Sequence, residues 1–86
     1  MPVVSTFFGI VIRMFYLEHG IPHFHAEYQG QQAIFTFDGE ILAGNIRSRT
    51  ALRLIRDWTL EHNEELEANW HKARSGEPLH RIAPLD

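Results

Sequence analysis

One short segment, His-Phe-His-Ala-Glu-Tyr at positions 23–28, contains the residues whose types and spacing are best suited to chemistry. On an extended strand, side chains alternate between two faces with a period of two. His23, His25 and Glu27 would therefore share one face, while the apolar residues between them face the opposite side. The sequence thus predicts two imidazoles and a carboxylate side by side on a sheet.

A metal site is the first interpretation of these side chains. Two histidines at positions i and i+2 of a strand lie roughly 6.5–7 Å apart and point the same way, so both rings can reach one cation. Glu27, or His19 in the preceding loop, would complete a set of ligands for a divalent metal with open coordination positions. Such a site would activate water for hydrolysis or bind iron.

A catalytic site without metal is the second interpretation. His23 or His25 would act as general acid or base, because an unperturbed imidazole titrates near neutral pH. Arg13, on the preceding strand, would stabilise negative charge such as that of a phosphate. Thr36 is the one hydroxyl residue expected beside them as a nucleophile.

A solvated sheet face is the third interpretation. Glu27 would then pair with Arg13 across neighbouring strands, and the histidines would bond to loop carbonyls. The sequence leaves all three interpretations open, and with them the question of whether the protein is an enzyme.

The first half of the chain has the pattern of an antiparallel meander. Alternating and β-branched residues predict strands at positions 3–8, 9–16, 23–28, 33–37 and 40–43. Gln29-Gly30 and Asp38-Gly39 are hairpin turn signals between them. We therefore expect four to five strands, each paired with the next along the chain.

The second half is helical in pattern. Apolar residues recur at three- and four-residue spacing from Ser48, a suitable N-cap, to Ser75, which precedes Gly76. A continuous helix of this length would measure about 40 Å, whereas a domain of this size is roughly 25–30 Å across. A long helix and one kinked near Asn63 are both compatible with the pattern.

Together these elements predict an α+β fold in which the helix, long or kinked, packs on one face of the meander. We expect a single domain over residues 1–86, with the sheet at about 3–43, the helix at about 48–75 and a C-terminal tail at 76–86. Trp58 and Trp70 are expected as core or interface anchors, and His62 and Asn69 as buried polar groups with hydrogen-bond partners.

Basic residues concentrate at the start of the helical region. Arg49, Arg53 and Arg56 have i, i+4, i+7 spacing and so share one helix face. They are candidates for contact with an acidic partner, a phosphate or a nucleic-acid backbone. The alternative is a solvated face on which Arg53 pairs with Asp57.

Composition narrows the function classes. The net charge of −3 does not indicate a general polyanion binder, and no known nucleic-acid-reading motif is present, so nucleic acid is an unsupported partner. The chain has no cysteine, which excludes disulfides and thiolate metal ligands. No apolar run approaches the roughly 18–20 residues of a membrane span, and no basic leader precedes one, so we expect a cytoplasmic protein.

The chain also resembles a family of small bacterial proteins that is catalogued as a domain of unknown function. The resemblance covers nearly the whole length, and Pro-His-Phe-His-Ala at 22–26 is its most specific part. The other matching residues are Met1-Pro2, Ser5, Phe8-Gly9-Ile10, Ile12, Met14, Glu18-His19, Glu27-Tyr28, Ala51-Leu52-Arg53, Trp58, His62, Glu65-Leu66, Asn69-Trp70, Ala73 and Gly76-Glu77-Pro78-Leu79. Ile21 departs from the family, whose members commonly have a second proline there.

The resemblance implies a small bacterial or archaeal protein that is often encoded beside a second small protein, in a two-gene module of toxin–antitoxin type. It supplies no catalytic residues. We therefore expect a protein-binding component of such a module, with a small protein from the neighbouring gene as partner. The alternative is a small hydrolase or nuclease that uses the His-x-His-x-Glu face with or without a metal. A homo-oligomer through the tryptophans or the sheet edges is also compatible with the sequence.

Overall fold

A computed structural model describes residues 2–86 as a five-stranded antiparallel sheet followed by two helices. Met1, which contributes to the family resemblance, lies outside the described residues. The elements are β1 (Val3–Phe7), β2 (Ile10–Arg13), β3 (His23–Tyr28), β4 (Gln31–Thr36), β5 (Ile41–Gly44), α1 (Arg49–Glu61) and α2 (Asn63–Arg74). The strands lie in chain order, which confirms the predicted α+β meander.

Two-residue turns close the β1–β2 and β3–β4 hairpins. Phe8 and Gly9 have φ angles of 48° and 79°, and Gln29 and Gly30 have φ angles of 48° and 78°. Positive φ at both central residues is type I′ geometry, whose twist matches that of the flanking strands. The first of these turns was not predicted, because Phe is not a residue that signals a left-handed backbone.

The second strand is shorter than predicted. It ends at Arg13 rather than Tyr16, because the chain then leaves the sheet and runs toward α2. There the backbone N–H of Leu17 donates to the carbonyl of Ala73 at 3.4 Å. The loop between β2 and β3 is therefore held against the second helix rather than continuing the sheet.

The turn between β4 and β5 lies where Asp38-Gly39 predicted it. The hydroxyl of Thr36 accepts hydrogen bonds from the backbone N–H groups of Asp38 and Glu40, each at 3.2 Å. Thr36 pairs with His23 in the β3–β4 register, as expected, but its hydroxyl is engaged in stabilising the turn.

Aromatic packing joins the helices to one face of the sheet. Phe24 and Phe35 stack with ring centroids 5.5 Å apart, and Trp58 of α1 lies edge-on to Phe24 at 5.7 Å. Trp70 of α2 lies edge-on to Phe37 at 6.2 Å. The core is therefore on the side of the even-numbered residues of β3, as the alternation predicted.

The helical region is broken, which decides between the two predicted alternatives. His62 separates α1 from α2 with φ −114° and ψ 27°, and Asn63 donates from its side chain to the carbonyl of Phe37 at 2.7 Å. A continuous helix of about 40 Å would exceed the longest dimension of the molecule, 34 Å. Within residues 2–86, neither helix is long and apolar enough to cross a membrane.

The segment after α2 packs along the first strand instead of extending into solvent. Asn69 exchanges two hydrogen bonds with the backbone of His80, at 2.8 and 3.0 Å. Ile82 is 3% exposed, and its N–H donates to the carbonyl of Val4 at 2.8 Å. This segment covers the β1 edge of the sheet, while β5 forms the opposite edge with all four of its residues exposed.

Candidate metal centre

Three side chains converge where the β2–β3 loop meets the start of β3. They are Glu18, His23 and His25, and one potential ligand atom from each lies within 4.8 Å of the other two. The Nε2 atoms of His25 and His23 lie 2.9 and 3.4 Å from the same carboxylate oxygen of Glu18. All three side chains are half-buried, so the group is protected but open to solvent on one side.

The pleat of β3 brings the two histidines together. Phe24 and Ala26 are both 0% exposed under the helices, while His23 and His25 alternate with them and are half-buried, and His23, at the start of the strand, also reaches Trp70 of α2. Their ring centroids are 5.5 Å apart. The alternation on which the sequence prediction depends is therefore present in the structure.

The hydrogen bonding of His23 leaves one ring nitrogen available to a metal. Its Nδ1 lies 2.7 Å from the backbone carbonyl of Ile21, which can only accept, so Nδ1 carries a hydrogen. In the neutral ring Nε2 then keeps its lone pair, and it is this atom that faces Glu18. Metal-binding histidines commonly donate from the other nitrogen to a backbone carbonyl in this way. Trp70, 5.2 Å from the His23 ring, restricts its movement from the helix side.

His25 is fixed by different neighbours. The ring of Phe15 lies edge-on to it with centroids 4.4 Å apart. Its Nε2 faces the carboxylate of Glu18 at 2.9 Å and donates there when that carboxylate is ionised. A metal bound at Nε2 would require the other tautomer, in which the neutral ring carries its hydrogen on Nδ1.

An unusual backbone conformation precedes Glu18. Leu17 has a φ of 58°, which is uncommon and strained for a residue with a bulky side chain. Its N–H is hydrogen-bonded to Ala73 of α2, and its side chain is 66% exposed. The contact with α2 therefore accompanies a backbone reversal that leaves Leu17 outside and directs Glu18 toward the histidines.

The charge state of Glu18 also suits a metal ligand. Burial on its own would raise the pKa of Glu18, but the hydrogen bond with His25 and the charge that His23 carries when protonated outweigh that effect. The pKa of Glu18 is therefore below its ordinary value, and the side chain is a carboxylate at neutral pH. Metal ligands of this type bind in the deprotonated form.

The structure places Glu27 in a different interaction from the one that a metal site would need. Arg13 lies opposite His25 in the β2–β3 pairing, and its Nη1 contacts both carboxylate oxygens of Glu27 at 3.1 Å. Among residues 2–86, the converging group contains Glu18 in the place expected for Glu27 or His19, and His19 is exposed. The cross-strand ion pair is the one anticipated for a solvated face, and it coexists with the convergence of the histidines.

Glu18 is the site residue that sequence reasoning did not select. The signal available was its position in a short loop directly before the histidine strand. Its direction depends on the left-handed backbone of Leu17 and on docking of the loop against α2, neither of which leaves a pattern in the sequence.

The observed distances fit a common metal geometry. Ligand bonds of 2.0–2.2 Å place neighbouring ligand atoms roughly 3–3.5 Å apart in tetrahedral or octahedral coordination. The separation of 3.4 Å from Glu18 to His23 falls within this range and that of 2.9 Å to His25 lies just below it, while all three ligand atoms lie within 4.8 Å of one another. Three protein ligands would leave at least one position for water.

The three arginines singled out in the sequence lie elsewhere. Arg49, Arg53 and Arg56 line a groove between α1 and β5, about 330 Å³ in volume, together with Phe35, Gly39, Ile41 and Leu52. We call this the arginine groove. None of the three forms an ion pair within the part of the chain that the structure describes, and the expected Arg53–Asp57 pair is absent from it.

The two polar residues expected in the helical core are both buried. Asn69 has its hydrogen bonds satisfied by His80, as expected. His62 is 8% exposed and bonds through Nδ1 to Glu65 at 2.6 Å, while its buried Nε2 has no hydrogen-bond partner in the described chain. His62 therefore stays in the helical layer and does not join the converging group.

Comparison with known proteins shows the family of the chain but no activity. No curated protein and no solved structure matches the chain. One family model matches residues 9–71, more than half of the chain, and its span includes β2–β5, both histidines, Glu18 and most of the helical layer. The chain therefore belongs to the family described as Domain of unknown function (DUF4160), for which no activity is established.

Proposed function

We propose that this protein binds a divalent transition-metal ion through Glu18, His23 and His25. The observation that carries the proposal is the convergence of their ligand atoms within 4.8 Å. Two imidazoles and one carboxylate suit zinc, iron(II) or manganese better than magnesium or calcium, which prefer oxygen ligands. The carbonyl-bound Nδ1 of His23 and the ionised state of Glu18 support the same assignment.

Hydrolysis is the reaction that such a centre favours. An ion held by three protein ligands keeps a bound water, and it lowers the pKa of that water enough to produce a nucleophile near neutral pH. Arg13 lies across from His25 and adds a positive charge on this face for a phosphate group. Because Arg13 already contacts both oxygens of Glu27, a phosphate would have to share that guanidinium or displace the carboxylate.

Metal binding can be tested by titrating the purified protein with zinc, manganese and iron(II) while following the histidine ring resonances. We expect saturable binding with selective effects on His23 and His25. Glu18→Gln should weaken binding by at least about tenfold, because it removes the ionised ligand. Glu27→Gln is the matched control and should leave affinity nearly unchanged. Absent binding, or equal losses in the two variants, would contradict the assignment.

Hydrolytic activity requires a separate assay. The metal-loaded protein would be incubated with an activated phosphodiester, and the product measured against the Glu18→Gln variant. Turnover that depends on both metal and Glu18 supports a hydrolase or nuclease. Tight metal binding without turnover would leave the metal site in place and remove the hydrolase.

A second candidate function is a protein-binding component of a two-gene, toxin–antitoxin-like module in the bacterial cytoplasm. The observation that favours it is the exposed edge strand β5, which lies beside the arginine groove. Co-expression with the product of the neighbouring gene tests this function. A stable complex on purification is the expected result, and failure of the two proteins to associate would count against it.

A further inference from the structure

We infer that β5 and the arginine groove together bind an extended, acidic segment of a partner protein, which adds to the sheet as a sixth strand. This inference rests on the second proposed function and names the chemistry of the partner. It depends on two observations. One edge of the sheet is covered while the other is exposed, and three arginines form no ion pair in the described structure.

The two edges of the sheet differ in how they are protected. Along β1, Ile82 donates its N–H to Val4 at 2.8 Å and the guanidinium of Arg81 donates to Val3 at 3.3 Å, so the C-terminal segment covers that edge. On β5, Ile41 and Leu42 remain 41% and 45% exposed. An apolar, uncovered edge strand provides backbone hydrogen-bonding groups for a further strand.

The charges beside β5 also lack internal partners. Arg49, Arg53 and Arg56 follow one face of α1, and no acidic residue occupies its first turn. A basic residue in the first turn of a helix opposes the helix dipole, and Arg49 occupies that turn. In a chain with net charge −3, this local concentration of positive charge fits a ligand that brings carboxylates.

An extended peptide fits this surface better than the other occupants. A second copy pairing through β5 would contribute four residues without a carboxylate, preceded by the single acid Glu40, so its strand would bring one negative charge for three arginines. A nucleic acid would neutralise the arginines but would use neither the strand edge nor the exposed apolar side chains. A strand that alternates acidic and apolar residues supplies all three kinds of contact.

The test uses fluorescently labelled peptides of alternating glutamate and valine, with a lysine–valine peptide as the charge control. Fluorescence anisotropy and backbone amide shifts would be measured on the full-length protein. We expect the acidic peptide to bind and to shift the amides of β5, and the lysine peptide to bind at least tenfold more weakly. An acidic peptide N-methylated at alternate residues should lose binding, because it cannot form the strand ladder.

Substitutions distinguish binding in the arginine groove from attraction to positive charge elsewhere on the protein. Replacing Arg49, Arg53 and Arg56 together by glutamine should weaken the acidic peptide at least tenfold, whereas Arg74→Gln, an exposed arginine on α2, should have little effect. No binding of the acidic peptide, or equal binding of its N-methylated form, would overturn the inference. Preferential binding of a poly-dT oligonucleotide, or self-association that the triple variant abolishes, would overturn it in favour of those occupants.

The same variants distinguish this inference from the function on which it rests. If the neighbouring gene product binds the wild type and the triple variant equally well, the protein-binding function stands and the arginine groove is not its site. If it binds neither, the protein-binding function itself fails. Loss of binding in the triple variant alone supports both.

Discussion

Two glutamates near the same strand have different roles because of their nearest neighbours. Glu27 is held by Arg13 through both carboxylate oxygens, whereas Glu18 contacts two imidazoles through one oxygen. An arginine can never give up its charge to make room for a cation, while a neutral imidazole offers a lone pair. The carboxylate beside the histidines is therefore the one available to a metal.

The lowered pKa of Glu18 predicts a pH dependence of folding stability in the absence of metal. A carboxyl group whose pKa is lower in the folded state stabilises that state at pH values above its unfolded pKa, about 4.3. This contribution is lost as the pH falls through the lowered folded-state pKa. In urea denaturation, the wild type should therefore exceed Glu18→Gln in stability near neutral pH, and the difference should shrink in acid. A difference that is constant over this range would contradict the pKa shift.

At the level of single residues, the sequence predicted what depends on strand alternation and missed what depends on a loop. His23 and His25 could be paired from their spacing, because the side chains of a strand alternate strictly. Glu18 could not be placed, because its direction follows from the positive φ of Leu17. Leucine carries no preference for that conformation, so the position gives no warning of it.

At the level of elements, the strands and helices were predictable and their ends were less so. The two-residue turn at Phe8-Gly9 moves the start of β2 to Ile10, and docking of the loop on α2 ends that strand at Arg13. The helix break could be anticipated from length alone, since one helix would have been longer than the molecule. Its position next to Asn63 is stabilised by a hydrogen bond to Phe37 in the sheet, a tertiary contact without a local signature.

We expect Gly44, the last residue of β5, to be the backbone position of the sheet at which adding a side chain costs the most stability. It has a φ of 75°, and a Cβ built there would clash with the carbonyl oxygen of Gln32. Gly44→Ala should lower the free energy of unfolding by about 2–4 kcal/mol, because it combines backbone strain with a clash against main chain. Chemical denaturation measures the loss.

Gly30→Ala is the matched control for that substitution. Gly30 also has a positive φ, 78°, but a Cβ there meets nothing within 4 Å. The expected cost is about 1 kcal/mol, from the left-handed backbone alone. Equal losses in the free energy of unfolding at the two glycines would show that the close approach of Gly44 to β4 adds nothing to the cost of substitution.

At the level of the whole molecule, the C-terminal segment connects layers that are distant in sequence. It reaches Val4 through Ile82 and Trp58 through Ala83, whose carbonyl accepts the indole N–H at 2.9 Å. The sequence identified residues 76–86 only as a tail, since the segment has neither helical nor strand periodicity. Its role follows from long-range contacts that no short window of sequence contains.

Ile82→Ala tests the importance of this segment for stability. Ile82 is 3% exposed within the core cluster, so truncation of its side chain should cost about 2–5 kcal/mol in the free energy of unfolding. Pro84→Ala, at an exposed position two residues later, is the control and should change stability by less than about 0.5 kcal/mol. An Ile82→Ala protein as stable as the control would show that the segment is not part of the folded core.

The contact between Trp70 and His23, 5.2 Å from ring to ring, gives the molecule an optical signal of its own. Trp70 is 4% exposed, so its emission reports on neighbouring side chains more than on solvent. A change at the His23 ring would alter the ultraviolet fluorescence of that indole directly. Occupancy of the centre could therefore be followed without a label, and replacing Trp70 by phenylalanine would identify which of the two tryptophans provides the signal.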